Sequence, residues 1–256
     1  MPKLSTEKKF IDVSDYGRPI ATVFAQLLKN TKTTPIQITF LFGLCGLIAV
    51  FCILEKHFLM AGVFLILKSI IDATDGELSR LKKTPSYTGR YLDSVFDIIL
   101  NFLFLMSICF ISQATFLATL LAFVCFQLQG TLYNYYYVIL RNNSVGGDST
   151  SKIFETQSPK AFPGESQRMV NFLFTIFNAL YSIYDKVIFA LDKEAVSVKT
   201  LPNWFMAFVS VYGLGFQLLL IAIMLALGCV EIIIPFFIFY SGFIFVFVGI
   251  RKTFLN

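Results

Sequence analysis

Long apolar runs, separated mostly by short polar stretches, account for most of the chain. A helix needs about 20 apolar residues, within a range of about 17–25, to cross a bilayer. The runs that we predict as six membrane-spanning helices are 36–54, 58–73, 91–111, 114–140, 204–229 and 232–250. The second run is short, so we expect its helix to continue through the polar residues that follow it.

A seventh run, 169–191, has a mixed pattern. Four polar residues interrupt it: Asn171, Asn178, Asp185 and Lys186. Ionisable groups are costly at membrane depth, and a seventh crossing would also move Arg251 and Lys252 to the opposite side. We therefore interpret this run as an interfacial or partly inserted helix. Six crossings predict an all-α integral membrane protein.

The polar N-terminal segment contains one amphipathic stretch. Its apolar positions recur at helical spacing and are Tyr16, Ile20, Val23, Phe24, Leu27 and Leu28. This pattern favours an amphipathic helix that lies in the membrane interface, and a partner-binding or disordered tail is the alternative. We expect a cytoplasmic or interfacial segment, 1–35, followed by a six-helix membrane domain, 36–256.

Composition and charge agree with a membrane protein and suggest its orientation. Apolar residues make up 56% of the chain and mean hydropathy is +0.72, outside the range of soluble domains. Of the 21 Lys and Arg residues, the six-span layout leaves only Lys56 on the opposite side and Lys68 within a span. Because positive charge marks the cytoplasmic side, we predict that both termini are cytoplasmic.

The cysteines lie in apolar runs, which favours buried thiols over disulfides.

Four carboxylates flank the predicted turn between the second and third spans. Asp72 and Asp75 are three residues apart, and Asp93 and Asp97 are four apart, so each pair shares a helix face. Residues 81–88 are typical of a turn between antiparallel helices, which lets the two faces converge. Carboxylate oxygens suit hard cations such as Mg²⁺ or Mn²⁺. Two such ions can clamp the attacking and leaving oxygens of a phosphoryl-type displacement.

Small and basic residues between the acids fit a phosphate-bearing substrate. Gly76 and Gly89 carry no side chain that would obstruct a ligand, and Ser79 is small. Arg80 offers a planar donor fork suited to phosphate. Lys68 lies one helical turn before the first acid and can pair with it.

These residues together resemble the signature of the CDP-alcohol phosphotransferase family, D-x-x-D-G-x-x-A-R-x(8)-G-x-x-x-D-x-x-x-D. The matching positions are Asp72, Asp75, Gly76, Ser79, Arg80, Gly89, Asp93 and Asp97. Ser79 stands where the family usually has Ala. The resemblance implies a phospholipid-synthesising membrane enzyme that cleaves CDP-diacylglycerol or another CDP-alcohol. It would release CMP and join the remaining phosphoryl group to an acceptor alcohol.

The resemblance also implies roles for individual residues. Asp72, Asp75, Asp93 and Asp97 would hold a pair of Mg²⁺ or Mn²⁺ ions, and Asp97 would be the catalytic base toward the acceptor hydroxyl. The nucleotide and phosphate pocket would be lined by Gly76, Ser79, Arg80 and Gly89. A carboxylate bound to two cations is a poor base, so the metal would share in the activation. Membrane lipids and a second copy of the chain are expected partners, and nucleic acid is not.

Other interpretations stay open at this point. The acids could be salt-bridged at helix ends to Lys82, Lys83 or Arg90, which would leave their combined spacing unexplained. A membrane prenyltransferase usually has a second Asp-rich motif, and a cation transporter would have its acids near the midplane. The acceptor alcohol and the donor headgroup are not determined by the motif.

Four tyrosines near the inner end of the fourth span predict an aromatic belt or an acceptor pocket: Tyr133, Tyr135, Tyr136 and Tyr137.

Overall fold

The computed structural model describes residues 10–143, 154–198 and 200–255, and these residues form helices and connections without a strand. The helices are α1 (Arg18–Leu28), α2 (Pro35–Leu54), α3 (Phe58–Lys82), α4 (Tyr87–Ser112), α5 (Phe116–Asn142), α6 (Gln167–Leu191), α7 (Asn203–Val209), α8 (Leu214–Ala226), α9 (Val230–Tyr240) and α10 (Phe243–Phe254). Short 3₁₀ helices occur at Val13–Asp15, Lys193–Ser197 and Ser210–Tyr212. The all-α prediction is confirmed.

Several of these helices are long and apolar enough to cross a membrane. They are α2, α4, α5, α6 and the continuous stretch of α9 with α10. The pair α7 and α8, bent by 50°, can count as one more. Helix α3 is 25 residues long but does not belong to this group, because Lys68, Asp72 and Asp75 make it too polar. The predicted crossing over 58–73 is therefore not confirmed, whereas α6, predicted to be interfacial, has the length and composition of a crossing helix. As expected, α3 continues without a break through the acidic motif. The prediction of a multi-span membrane protein is confirmed.

The bundle has two ends, which we name by the position of the acidic motif. The site end is where α3 ends and α4 begins, and the far end carries the turn between α2 and α3. At the site end, Lys82 Nζ donates to the carbonyls of Thr31 and Thr33 at 2.7 Å, so α2 begins there. At the far end, exposed His57 precedes α3, as a solvated loop residue would.

Local sequence signals explain where the helices that carry the site begin. Thr34 caps α2 in a capping box with Gln37, and Pro35 occupies its first turn. Ser86 caps α4 by accepting from the backbone N–H of Gly89 at 2.8 Å. The caps satisfy backbone donors that have no partner within the helix. They therefore fix the register from which the acids project.

Close packing between α2 and α4 depends on small residues. A Cβ atom at Gly43 would lie 2.9 Å from the Phe96 ring, and one at Gly46 would lie 2.6 Å from Leu100. Glycines at such contacts let helices approach closely inside a membrane, where packing replaces the hydrophobic effect. The buried core continues through α3, α5, α8 and α9, with Phe42, Leu65, Phe104, Phe126, Leu218 and Phe237 among its members. All five cysteines are free; Cys45, Cys52 and Cys109 are buried as predicted, whereas Cys125 and Cys229 are partly exposed.

Helix α6 packs at the site end of the bundle. The Phe177 ring lies 5.1 Å from the Tyr91 ring, and Tyr181 donates to the carbonyl of Ser94 at 2.8 Å. Both partners belong to the first turns of α4. Farther along α6, Ile188 joins the buried cluster that contains the last turns of α5. These contacts favour the predicted interfacial position, although the length and composition of α6 also allow a crossing.

Helix α1 exposes its apolar face. Ala21 and Ala25 are buried on the side that faces α3. The larger apolar side chains point away from the bundle and are exposed: Ile20, Val23, Phe24 and Leu27. This is the amphipathic helix that the N-terminal pattern predicts, with small residues toward the protein and large ones available to lipid.

The tyrosines near the inner end of α5 do not form an aromatic belt. Tyr135, Tyr136 and Tyr137 are buried, and Tyr133 is half-buried. The hydroxyls of Tyr135 and Tyr136 donate to the carbonyl and the carboxylate of Asp192, both at 2.7 Å. The belt prediction is wrong, because chain segments at the site end cover these rings and provide polar partners for their hydroxyl groups.

Candidate functional site

Three of the predicted acids come together between α3 and α4. Asp72, Asp75 and Asp93 each place a carboxylate oxygen within 4.8 Å of the other two. Asp72 and Asp75 lie one turn apart on α3, and Asp93 faces them from the second turn of α4. Asp97, one turn further along α4, stands outside this group of three. The antiparallel arrangement predicted from the turn between the helices therefore brings the acids to one groove.

A buried lysine connects the fourth acid to the others. Lys68 is 0% exposed, and its Nζ lies 3.2 Å from Asp72 Oδ2 and contacts Asp97 Oδ1. The same ammonium lies 4.7 Å from the centroid of the Phe42 ring. The predicted pairing of Lys68 with Asp72 is confirmed. The pairing with Asp97 links α3 to α4, and the sequence contains no signal for it because it depends on the register between the two helices.

The remaining oxygens of the acids differ in how they are satisfied. Thr39 on α2 donates to Asp75 Oδ2 at 2.8 Å, which orients that carboxylate. Asp93 Oδ1 is buried without a hydrogen-bond partner among the described residues. A buried anionic oxygen is costly unless a donor or a cation compensates it. The set of hard oxygen ligands therefore fits Mg²⁺ or Mn²⁺. Sequence reasoning missed Thr39, which has no periodic or spacing signal.

Arg80 lies in a chain of charged groups that reaches the N-terminal segment. It donates to Glu77 Oε2 at 2.7 Å, and Arg18 donates to the same oxygen at 2.9 Å. Arg18 also pairs with Asp15. The side chain of Arg80 remains about a quarter exposed, at 26%. Arg80 is thus oriented by a neighbour and still accessible to a phosphate.

The other signature residues lie at the two helix ends. Gly76 follows Asp75, and a Cβ atom there would lie 3.5 Å from the Arg80 guanidinium. Ser79 donates to the carbonyl of Thr84 at 2.9 Å, so its hydroxyl closes the turn after α3. A Cβ atom at Gly89 would lie 3.2 Å from Ser86 Oγ, the oxygen that caps α4. Gly76 therefore lies against the Arg80 guanidinium, Gly89 allows the close approach of the Ser86 cap, and Ser79 joins the end of α3 to the turn that follows.

Two glutamates that sequence reasoning missed hold the start of α4. Glu165 accepts from Ser86 Oγ at 2.7 Å and from the backbone N–H of Thr88 at 2.8 Å. Burial raises the pKa of Glu165, but these hydrogen bonds outweigh it and lower the pKa overall. Glu155 accepts from Tyr91 Oη at 2.6 Å and pairs with Arg90. Both glutamates lie in the connection between α5 and α6, where composition gives no positional signal.

The N-terminal segment packs beside the groove. Asp12 accepts from the hydroxyl of Tyr133 on α5, and the backbone N–H of Val13 donates to Ser210 Oγ at 3.1 Å. Ser14 lies against two glycines. A Cβ atom at Gly213 would lie 2.3 Å from the Ser14 side chain, and one at Gly215 would lie 2.0 Å from its carbonyl oxygen. Contacts between residues distant in sequence therefore hold this segment against α5 and α8.

Comparisons with known proteins agree with this geometry. The model of the CDP-alcohol phosphatidyltransferase family matches residues 32–248, which include all four acids and confirm the resemblance. A bifunctional IPC transferase and DIPP synthase of Thermococcus kodakarensis is 38% identical over 81 residues, covering 32% of this chain and 18% of the relative. A protein of the same description from Archaeoglobus fulgidus is 34% identical over 112 residues, covering 43% of this chain and 22% of the relative. The chain thus matches about a fifth of the length of these relatives.

Proposed function

Because the chain belongs to the CDP-alcohol phosphatidyltransferase family, we propose that it transfers a substituted phosphoryl group from a CDP-alcohol to an acceptor alcohol. CMP is released, and the product enters phospholipid synthesis. The observation that carries this proposal is the convergence of Asp72, Asp75 and Asp93 within 4.8 Å at one end of an apolar helix bundle. CDP-diacylglycerol is the donor to test first, because its acyl chains can remain in the bilayer beside the groove.

The residues of the site have separable roles in this reaction. Asp72, Asp75 and Asp93 would hold a divalent cation, Mg²⁺ or Mn²⁺, which supplies positive charge to the donor diphosphate. Thr39 orients Asp75 for that task. Arg80 binds a phosphate oxygen through its planar fork, at the mouth formed by Gly76, Ser79 and Gly89. These contacts place the diphosphate between α3 and α4.

Asp97 is the residue that we assign to the acceptor hydroxyl. Its Oδ1 contacts Lys68, and its Oδ2 would accept the proton that the hydroxyl loses. The Lys68 ammonium holds this carboxylate in place, and positive charge elsewhere in the site would acidify the acceptor hydroxyl.

We propose that the site end faces the cytoplasm. The basic residues Arg18, Arg80, Arg90 and Arg141 lie toward this end, whereas the far-end turn carries Lys56. Positive charge is retained on the cytoplasmic side during insertion. In this orientation the exposed apolar residues of α1 lie in the inner interface, next to the mouth through which a soluble acceptor would enter.

The first test is release of CMP by the purified full chain. The protein in nanodiscs receives CDP-diacylglycerol, Mn²⁺ and a panel of alcohols, and both CMP and the lipid product are identified. Asp93→Asn should lower the rate by at least about a hundredfold, since a metal ligand that also faces the substrate is removed. The matched control is Glu231→Gln, which alters an exposed acid at the far end and should leave the rate unchanged. Failure of every CDP-alcohol to yield CMP with metal present would overturn the proposal.

A further inference from the structure

Lys68 occupies the position between the two acidic helices that a cation would bridge. Its ammonium is within hydrogen-bonding distance of Asp72 on α3 and also contacts Asp97 on α4. A metal ion shared by these carboxylates would make the same connection. The lysine side chain is 0% exposed, so protein atoms surround it on all sides.

The lysine does not compensate all four acids. Lys68 pairs with Asp97 and with Asp72, whereas, in the part of the chain that the structure describes, no ion pair joins it to Asp75 or Asp93, the other two members of the compact group. Within that group, Asp93 Oδ1 has no partner among the described residues. The position that still requires a positive charge therefore lies at the three acids, away from Asp97.

We propose that this protein binds one divalent cation per chain and that the Lys68 ammonium permanently takes the place of a second one. The inference rests on the proposed function, since it concerns the metal on which that function depends. It revises the pair of ions predicted from the motif. Lys68 acts as a positioning residue, because it fixes Asp97 and supplies fixed charge without touching the reacting atoms.

Two physical reasons keep the lysine in place when metal binds. An ammonium and a second divalent ion at the same carboxylates would repel each other at short range. The ammonium also has a favourable partner in the Phe42 ring at 4.7 Å, a contact that gains strength away from water. Exclusion of a second ion follows from the repulsion between the two cations and from the favourable contact that keeps the ammonium in place.

The test counts bound metal and does not depend on turnover. Purified full chain is titrated with Mn²⁺ without nucleotide, and free Mn²⁺ is measured by electron paramagnetic resonance. We expect one ion per chain for the unmodified protein. Lys68→Met keeps the length of the side chain and removes its charge, which leaves Asp72 and Asp97 facing each other, so we expect two ions. Lys68→Arg should bind one ion, as should the control Lys186→Met, which alters an exposed residue of α6.

Each result bears on the proposal. Two ions in the unmodified protein, or none, would overturn it, and so would one ion in Lys68→Met, since the lysine would then not be what excludes the second. If Lys68→Met does not remain folded in size-exclusion chromatography, the count in the unmodified protein decides. A protein that binds one ion but releases no CMP from any donor would contradict the proposed function and leave the metal count intact.

Discussion

At the residue scale, Glu165 joins the connection before α6 to the helix that carries two of the acids. Its carboxylate accepts from Ser86 Oγ and from backbone donors of the first turn of α4. An anion at a helix N-terminus is also favoured by the helix dipole. One side chain thus fixes both the start of α4 and the end of the connection.

Glu165→Gln should lower the stability of the folded protein by about 1 kcal/mol at neutral pH, because charge-assisted hydrogen bonds become neutral ones at a partly exposed site. The pKa of Glu165 is lowered in the folded state. Its stabilising effect is therefore present above the ordinary glutamate pKa of about 4.3 and is lost as the pH falls through the lowered value. Melting temperatures of variant and unmodified protein should differ at pH 7 and converge in acid.

The control for this experiment is Glu55→Gln, at an exposed glutamate in the far-end turn. It should melt like the unmodified protein at both pH values. A difference between Glu165→Gln and the unmodified protein that persists unchanged below pH 4 would show that the carboxylate charge is not responsible.

The contrast between predicted and missed residues has a physical basis. The spacing of Asp72, Asp75, Asp93 and Asp97 follows from helical periodicity, which a sequence displays directly. Thr39, Glu165 and the contact of Lys68 with Asp97 depend on how separate helices and a connection lie against each other. Local spacing carries no information about such contacts, so the sequence predicts the ligands but not the residues that orient them.

At the element scale, a wholly buried ion pair fastens α10 to the rest of the site end. Arg251 Nε donates to Asp192 Oδ2 at 2.7 Å, and both side chains are 0% exposed. Tyr136 of α5 donates to the same carboxylate oxygen. The pair therefore connects α10, the segment after α6 and the end of α5. In the sequence, Arg251 served only as a positive charge for assigning the side of the membrane, and nothing in its spacing indicated this buried pair.

Asp192→Asn should destabilise the protein by about 3–5 kcal/mol, because it removes the buried carboxylate that is hydrogen-bonded to Arg251 and leaves the exposed Glu194, at 3.8 Å, as an acid beside the guanidinium. The double variant Asp192→Leu with Arg251→Met removes both charges and should recover most of that loss. Thermal unfolding in detergent measures both. If the double variant is no more stable than Asp192→Asn, then the loss of the buried countercharge is not the cause of the destabilisation.

At the scale of the whole molecule, apolar run lengths predict the bundle well, whereas the placement of α6 requires tertiary contacts. Run length alone cannot distinguish a crossing helix from one that lies along an interface with lipid on one side. The contacts of Phe177 and Tyr181 with the first turns of α4 provide that information. The N-terminal helix was easier to predict because its apolar face has a clear helical period.

The placement of α6 can be tested by labelling from one side of the membrane. If α6 lies at the site end, cysteines introduced as Arg168→Cys and Lys193→Cys should both react with a membrane-impermeant thiol reagent only after permeabilisation. Lys56→Cys, in the far-end turn, should react in intact cells. The free native cysteines lie in apolar helices or at their ends, and the unmodified chain measures their background. Reaction of Lys193→Cys but not Arg168→Cys in intact cells would show that α6 crosses the membrane.

The contact of Ser14 with Gly213 and Gly215 has a consequence for biosynthesis. The segment that precedes α1 emerges from the ribosome some two hundred residues before the glycines against which it packs. The acidic motif is synthesised between the two. The segment before α1 can therefore take its place only after the first turn of α8 has been made. Until then, nothing on α8 holds this segment, and the packing of the N-terminal segment stays incomplete while the metal ligands already exist.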